Sequence, residues 1–167
     1  IEHDIQYAYK NDPAIKHARI LSQYPGIIAT TSHRIINYLH RKAVPFVPGI
    51  AQGLIHSRTG VDINSGATLG SGVFLDHGSG IVIGETAEIG NNVLIYQNVT
   101  LGAISFPRDE SGVVIRGAKR HPTVEDHVTI YAHAVILGGG TVLGQGCTIG
   151  GGLWITKSVP AGEYRKK

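Results

Sequence analysis

A histidine beside an aspartate is the first feature of this sequence that could do chemistry. Asp76 and His77 are adjacent in the stretch Leu75-Asp76-His77-Gly78-Ser79-Gly80. Histidine is the side chain best suited to accept a proton near neutral pH, provided that a second group fixes its orientation. Asp62 precedes Asp76 and would lie on an earlier turn of a repeating fold, where it could orient the imidazole. The pattern indicates a general base at His77, and the alternative is a histidine that only completes a turn.

A basic cluster, Lys119-Arg120-His121-Pro122, is the second candidate. The guanidinium of Arg120 offers a planar fork that matches a carboxylate, and Pro122 restricts the backbone after it. The cluster therefore suits recognition of an amino-acid carboxylate. A solvated basic loop end is the alternative.

Three histidines, His121, His127 and His133, fall six residues apart. We expect them at equivalent positions on successive coils, where neutral imidazoles on one face could hold zinc. A solvent-facing or intersubunit stripe is the alternative, and we assign no metal site to these residues.

Several classes of function are excluded by what the sequence lacks. It contains no nucleotide P-loop, dinucleotide fingerprint or Cys-x-x-Cys pair. Cys147 is the only cysteine, which fits a reducing compartment, and the net charge of +3 has no long basic run that would favour nucleic acid. No apolar run is long enough to span a bilayer and the start is no signal peptide, so we expect a cytoplasmic protein. Because the sequence starts at Ile1 and has no Met, we expect a portion of a longer chain.

The first third of the sequence is patterned for short helices, from Glu2 to about His56. Apolar residues recur there at intervals of three and four, and they include Ile20, Leu21, Tyr24, Ile27, Ile28, Ile35, Ile36 and Leu39. Asp12-Pro13 predicts an N-cap and first-turn proline that open one helix, and Pro25-Gly26 separates it from the next.

From Ile63 onward the pattern changes to a period of six. Aliphatic residues mark successive hexapeptides at 63, 69, 75, 83, 89, 95, 101, 124, 130, 136, 143, 149 and 155, with the phase slipping by two residues at Ile81-Val82. Hexapeptide periodicity is typical of a parallel β-helix with three short strands per coil, and the 23 glycines suit its tight turns. A β-sandwich would alternate with period two, which is not seen.

The sequence thus predicts an α+β chain of N-terminal short helices followed by a parallel β-helix. We place the helical region at 1–58, the β-helix at 59–160 and the start of a C-terminal tail at 161–167. Residues 103–119 have no hexapeptide phase and predict one protruding loop, of the kind that is usually functional when it is this long.

The motifs taken together resemble the serine acetyltransferase family of hexapeptide-repeat acyltransferases. The blocks that carry the resemblance are Asp4-Ile5-Gln6, Asp12-Pro13-Ala14, Tyr24-Pro25-Gly26, His33-Arg34, Asp62-Ile63, Leu75-Asp76-His77-Gly78, 82–90, 97–102 and Lys119-Arg120-His121-Pro122. The resemblance implies a left-handed β-helix and transfer of an acetyl group from acetyl-CoA to the hydroxyl of L-serine, with no permanently bound cofactor. It covers nearly the whole chain. The sequence departs from the family at Ala103, where a second Gly is usual, and at Tyr131 and His133, where a Gly-Ala-Gly-Ala run is usual.

The resemblance also implies roles for individual residues. His77 would be the general base and Asp62 its orienting carboxylate. Asp12 and Asp76 would hold the serine amino group, and Arg120 and His121 its carboxylate. The acetyl-CoA arm would pass Gly102, Ala132 and Gly151. Apart from the resemblance, Lys119, Lys157 and the terminal Arg165-Lys166-Lys167 are the candidates to meet its phosphates, and of these we assign Lys157.

For assembly, the resemblance implies a homotrimer with sites between subunits, and a hexamer is possible. Association with O-acetylserine sulfhydrylase stays open, because the family docks it through a tail beyond Lys167. Two rival enzymes remain, namely an acyltransferase for homoserine, a sugar or an antibiotic, and a β-helix carbonic anhydrase. A non-enzymatic scaffold is the third alternative.

Overall fold

The computed structural model describes residues 1–17 and 23–166. Within these ranges the chain forms three helices, α1 (Glu2–Asn11), α2 (Pro25–Arg41) and α3 (Val47–Thr59), and then fourteen short strands, which are grouped below by sheet. In the described ranges, no helix combines the length and the apolar character needed to cross a membrane.

The strands form three parallel sheets, and each of the first four coils gives one strand to each sheet, while the last coil gives a strand only to sheets 1 and 3. Sheet 1 consists of β1 (Asp62–Ile63), β4 (Val82–Ile83), β7 (Thr100–Gly102), β10 (Val135–Leu137) and β13 (Trp154–Ile155). Sheet 2 consists of β2 (Thr68–Leu69), β5 (Glu88–Ile89), β8 (Thr123–Val124) and β11 (Val142–Leu143). Sheet 3 consists of β3 (Phe74–Leu75), β6 (Leu94–Ile95), β9 (Thr129–Ile130), β12 (Thr148–Ile149) and β14 (Tyr164–Arg165). This is the predicted left-handed β-helix. We name its edges the 1–2, 2–3 and 3–1 corners after the sheets that they join.

Aliphatic columns along the axis hold the coils together. In sheet 1 the buried side chains of Ile63, Ile83, Leu101, Ile136 and Ile155 lie in register from coil to coil. Each fully buried side chain of this size contributes about 1.5–3 kcal/mol through removal from water. The hexapeptide marks in the sequence are therefore the inward-facing positions of the sheets.

Cys147 belongs to such a column at the 2–3 corner, stacked after Val93 and Val128. Its side chain is fully buried, and burial raises the pKa of its thiol to about 11. A thiol in this state is a core side chain, since the reactive form of cysteine is the thiolate.

The helices cover the first coil on its outer side. Arg34 of α2 donates to both carboxylate oxygens of the buried Asp4 at 2.7 and 2.9 Å, and Asp4 also accepts from the backbone of Gly72 and Val73 at 2.9 and 3.0 Å. α3 ends at Thr59, and the φ of +70° at the following Gly60 turns the chain into β1. These contacts fix the helical layer to the coil that carries His77.

The expectation that Asp12 caps the start of a helix is wrong. α1 ends at Asn11, and Asp12 follows it in extended conformation with its Oδ1 accepting from the backbone of Ala14 at 2.8 Å. Asp-Pro suits a turn as well as a helix start, and here Ile15 is buried against the helices, which a turn permits. Ile20 and Leu21 lie outside the described residues.

The loop at 103–119 leaves the coil after β7, as predicted, and is mostly exposed. One antiparallel bridge, Arg108 to Val114, pairs its two arms. The Oδ1 atom of Asp109 accepts from the backbone of Ser111 and Val113 at 2.9 Å and closes the tip.

Candidate active site

The 3–1 corner of the first coil is built differently from the same corner in later coils. Asp76 lies over Tyr96 of the next coil, and Ser79 lies over Gln97, so that His77 and Gly78 are two additional residues. His77 has a φ of +59°, which a non-glycine residue seldom adopts, and its side chain is exposed. The backbone N–H of His77 donates to Oδ1 of Asp76 at 2.8 Å. The two-residue slip in the hexapeptide phase is thus the insertion that projects the His77 imidazole outward.

Two neighbouring elements hold this corner in place. A Cβ atom on Gly78 would lie 3.0 Å from Val61 and 3.2 Å from the backbone nitrogen of Gly26 at the start of α2. The backbone N–H of Gly80 donates to the carbonyl of Gly60 at 2.9 Å. A strained corner packed this closely on both sides fits a functional site, since strain persists only where the surroundings enforce it.

Asp62 follows Val61 directly and so lies beside the His77 corner. The side-chain amide of Gln52 in α3 donates to Oδ1 of Asp62 at 3.1 Å and also accepts from the backbone of Ser65 at 2.9 Å. The carboxylate is therefore oriented by α3. Its predicted interaction with His77 stays a prediction.

Two carboxylates and two phenols gather next to His77. Asp12 approaches from the turn after α1, and the Tyr24 hydroxyl donates to its Oδ2 at 3.4 Å. Burial first, and then the charges of Asp12 and Asp76, raise the pKa of Tyr24. Burial and the charges of the same two carboxylates, with that of Asp76 the stronger, also raise the pKa of Tyr96. Asp12 and Asp76 thus both lie close enough to Tyr24 and Tyr96 to influence them. Their joint binding of an ammonium group stays a prediction.

Arg120 and His121 lie at the 1–2 corner, stacked on the corner of the second coil. Arg120 forms an ion pair with Glu85. The Nδ1 atom of His121 accepts from the backbone N–H of Thr86 at 3.0 Å, and the Thr86 hydroxyl lies 2.9 Å from the same atom. Burial, then the Arg120 charge, lower the pKa of His121. A neutral imidazole that accepts at Nδ1 carries its proton on Nε2, where it can donate to a ligand.

The four predicted acetyl-CoA residues divide between the same two corners. Ala132 and Gly151 adjoin at the 3–1 corner, where a Cβ on Gly151 would lie 3.1 Å from the Ala132 carbonyl oxygen. Gly102 is the last residue of β7, directly before the protruding loop, and its carbonyl accepts from the backbone N–H of Gly138 at 3.0 Å. Lys157 lines a cleft of about 550 Å³ under that loop, together with Arg120.

The Asp76–His77 pair and the Arg120–His121 pair lie at different corners of the β-helix. Asp76 and His77 precede β4, whereas Arg120 and His121 stack on residues that follow β4. The two sets thus lie at opposite ends of the sheet 1 strands.

Comparison with known proteins identifies the family. The model for the hexapeptide repeat of succinyl-transferase matches residues 123–157. A plasmid-encoded serine acetyltransferase of Synechococcus elongatus is 52% identical over 98% of this chain and 51% of its own length. The serine acetyltransferase of Helicobacter pylori is 37% identical over 74% of this chain and 68% of its own length. The chain belongs to the serine acetyltransferase family.

Solved structures of serine acetyltransferases share the fold. Serine acetyltransferase 1 of Entamoeba histolytica, solved with L-cysteine, superposes with a TM-score of 0.88 at 42% identity and covers 96% of this chain and 59% of its own. The soybean serine acetyltransferase, solved with serine, gives a TM-score of 0.86 at 35% identity over 96% of this chain and 62% of its own. This chain spans about half the length of the curated serine acetyltransferases that it matches.

The expected histidine ladder is wrong. His121 adjoins the 1–2 corner, His127 lies at the 2–3 corner and His133 at the 3–1 corner. A hexapeptide is only one third of a coil, so residues six apart point in three directions. Within residues 1–17 and 23–166, no group of three or more His, Cys, Asp or Glu side chains could hold a metal ion.

Sequence reasoning gave no role to several residues that build the two corners. Thr86 and Glu85 belong to the block 82–90, which carried the resemblance without a role, and Tyr24 to the block Tyr24-Pro25-Gly26. Tyr96 and Tyr131 both follow the aliphatic mark of a sheet 3 strand, as Asp76 does. Aligning the coils by that mark would have placed the two tyrosines in line with Asp76.

Proposed function

We propose that this chain is the catalytic core of a serine O-acetyltransferase, which transfers the acetyl group of acetyl-CoA to the hydroxyl of L-serine and gives O-acetyl-L-serine and CoA. The observation that carries the proposal is the inserted corner at His77, which projects an imidazole beside a pair of carboxylates. Family membership supports the reaction class. The soybean relative solved with serine supports the acceptor.

His77 acts as the general base. Its imidazole removes the proton from the serine hydroxyl as the oxygen attacks the thioester carbonyl carbon, and Asp62 orients and stabilises the imidazolium. When the carbon–sulfur bond breaks, the proton passes from His77 to the departing CoA sulfur. Acetyl transfer is direct, with both substrates bound together, and the buried Cys147 takes no part in it.

Opposite charges at the two ends of the acceptor determine how it is held. Asp12 and Asp76 bind the ammonium group, since both carboxylates influence the same two phenols. Arg120 and the Nε2–H group of His121 bind the carboxylate. Such charge-assisted hydrogen bonds are about twice as strong as neutral ones and fix the orientation of the hydroxyl between them.

The positions of these two sets favour a homotrimer with one site at each interface between copies, and pairing of trimers into a hexamer is compatible with it. Each site would take His77, Asp62, Asp12 and Asp76 from one copy and Arg120 and His121 from its neighbour. The acetyl-CoA arm would follow the same interface, past Ala132 and Gly151 on one side and Gly102 and Lys157 on the other. We place the reaction in the cytoplasm.

Release of free thiol from acetyl-CoA tests the reaction. The acceptors are L-serine, L-homoserine, L-threonine and a sugar, and the variant is His77→Asn, because asparagine adopts the same backbone conformation at Asn92 and Asn98. The matched control is His127→Asn, since His127 is also exposed and has a φ of +61°. We expect serine-dependent release that falls by about 10²–10⁴-fold in His77→Asn and is unchanged in the control. Thiol release with another acceptor would overturn the assignment of L-serine as the substrate. No thiol release with any acceptor would overturn the proposal that the chain is an acetyltransferase.

A further inference from the structure

Two tyrosines stack along the 3–1 corner on the two coils that follow the coil of His77. The rings of Tyr96 and Tyr131 lie nearly parallel, with centroids 5.1 Å apart and an interplanar angle of 11°. That separation is close to the spacing of about 4.8 Å between neighbouring strands. The two rings therefore follow the axis of the β-helix, one on each coil.

Asp76 continues this column on the coil before Tyr96. The backbone N–H of Asp76 donates to the carbonyl of Ile95 at 2.8 Å, and that of Tyr96 to the carbonyl of Ile130 at 3.0 Å. Asp76, Tyr96 and Tyr131 thus occupy the same corner position on three consecutive coils. Because Tyr131 covers one face of the Tyr96 ring, the other face is directed toward the coil of Asp76.

The helical layer brings Asp12 to the same place. Tyr24, whose hydroxyl binds Asp12, and Tyr96 pack against one apolar cluster beneath the helices. The buried members of that cluster are Ala8, Ile15, Ile27, Phe74 and Leu94. Tyr96 is held on one side by this cluster and on another by Tyr131, so its ring has little freedom to turn away from the two carboxylates.

We propose that the Tyr96 ring, supported by Tyr131, forms the floor of the ammonium pocket, so that the amino group of the acceptor lies between this ring and the carboxylates of Asp12 and Asp76. This inference rests on the proposed function and adds a positioning residue to it. An ammonium group within about 6 Å of a tyrosine centroid is attracted by the negative face of the ring. Burial raises the pKa of Tyr96, and the charges of Asp76 and Asp12 raise it further, so the ring faces the ammonium as a neutral phenol.

The arrangement selects for acceptors that carry a primary ammonium beside the hydroxyl. A hydroxy acid without the amino group would leave two carboxylates facing each other over an aromatic ring with no cation to compensate them. The ring contributes to binding of the acceptor in its ground state and in the transition state alike, because the ammonium does not change during acetyl transfer. Its loss should therefore raise the KM for the acceptor much more than it lowers kcat.

The variants are Tyr96→Phe, which keeps the ring, Tyr96→Leu, which removes it, and Tyr131→Leu, which removes only its support. Tyr164→Leu, at an exposed tyrosine of β14, is the matched control. We expect Tyr96→Leu to raise the KM for L-serine by about 5- to 30-fold, the range for loss of one cation–π contact. In Tyr96→Phe the KM for L-serine should stay within about 3-fold of the wild-type value, and in Tyr131→Leu it should lie between those of Tyr96→Phe and Tyr96→Leu. The KM for acetyl-CoA should not change in any of these variants.

Direct binding separates this inference from the proposed reaction. Calorimetric titration with L-serine, 2-aminoethanol and 3-hydroxypropionate should show that Tyr96→Leu weakens the two amines and leaves the amine-free acid unaffected. Equal binding of the amines by wild type and Tyr96→Leu would overturn the inference, as would a rise in the KM for acetyl-CoA alone, which would assign the tyrosines to the CoA arm. A wild-type protein that binds the amines but releases no thiol would overturn the reaction and leave the ammonium pocket standing. If the wild-type protein binds neither amine, the proposed ammonium pocket is wrong.

Discussion

The imidazole of His121 occupies the space that a side chain on Gly84 would need. A methyl group added at Gly84 therefore tests the part of the site that we propose binds the carboxylate of serine. A Cβ atom on Gly84 would overlap the His121 ring. Gly84 has no left-handed backbone conformation, so the Gly84→Ala substitution acts through this overlap alone. The ring would have to move and give up its two contacts with Thr86, at 2.9 and 3.0 Å.

The cost follows from those contacts. Each hydrogen bond contributes about 0.5–1.5 kcal/mol, and reduced freedom of the unfolded chain returns about 0.4–1 kcal/mol. We expect Gly84→Ala to destabilise the protein by up to about 2.5 kcal/mol, which lowers Tm by up to roughly 8 °C for a chain of this size. Because His121 no longer aims Nε2 at the ligand, the KM for L-serine should rise about 10-fold, the effect of losing roughly 1.4 kcal/mol of binding. The KM for acetyl-CoA should stay the same.

Thermal unfolding and steady-state kinetics measure both effects. The control is Gly53→Ala in α3, where a Cβ would meet no atom within 4 Å and stability should be equal or slightly higher. In the double variant with His121→Ala the overlap disappears, so the Gly84→Ala change should then cost nothing in stability. The reasoning fails if the two substitutions add independently, or if Gly84→Ala alone unfolds and binds serine like wild type.

Two further predictions concern acid stability and the shared site. Burial first, with the Arg34 charge adding to it, lowers the pKa of the buried His33 from 6.5 to about 4, so the folded protein stays neutral there while the unfolded chain takes up a proton. The contribution of His33 to the free energy of unfolding should be fully present above pH 6.5, and the free energy of unfolding should fall by about 3 kcal/mol as the pH drops to 4. Urea unfolding at pH 7 and 4.5 should show a smaller fall in His33→Gln than in the wild type. Parallel pH profiles of the two proteins would refute this. His77→Asn and Arg120→Ala chains, each inactive alone, should recover about one quarter of wild-type activity when unfolded and refolded together, because one interface in four then combines two intact halves. No recovery would place the whole site within one chain.

The two failures of sequence-based prediction have different causes. The period of six located the inward-facing residues of the sheets correctly, because burial repeats with the geometry of the coil. The histidine ladder failed because the same period was used for the outward direction, where His121, His127 and His133 face three different corners. The Asp12-Pro13 signal failed because burial of Ile15 favours a turn there over a helix start.

What the sequence determined by itself is local and repetitive. The aliphatic marks specify the coils, the loss of phase specifies the loop, and the two-residue slip specifies the corner that projects His77. Each of these follows from residues close together in the chain, whose spacing reflects the turn geometry directly.

Only the tertiary structure decided which polar groups meet. Asp12 and Tyr24 reach Asp76 and Tyr96 because the helices bury their apolar faces on Phe74 and Leu94, a contact between segments far apart in sequence. Arg120 and His121 stack on Thr86 at the other end of sheet 1, because the chain returns from the loop in register with the preceding coil. Burial and parallel register depend on contacts between different coils. The local spacing of residues therefore does not predict which polar side chains will face one another.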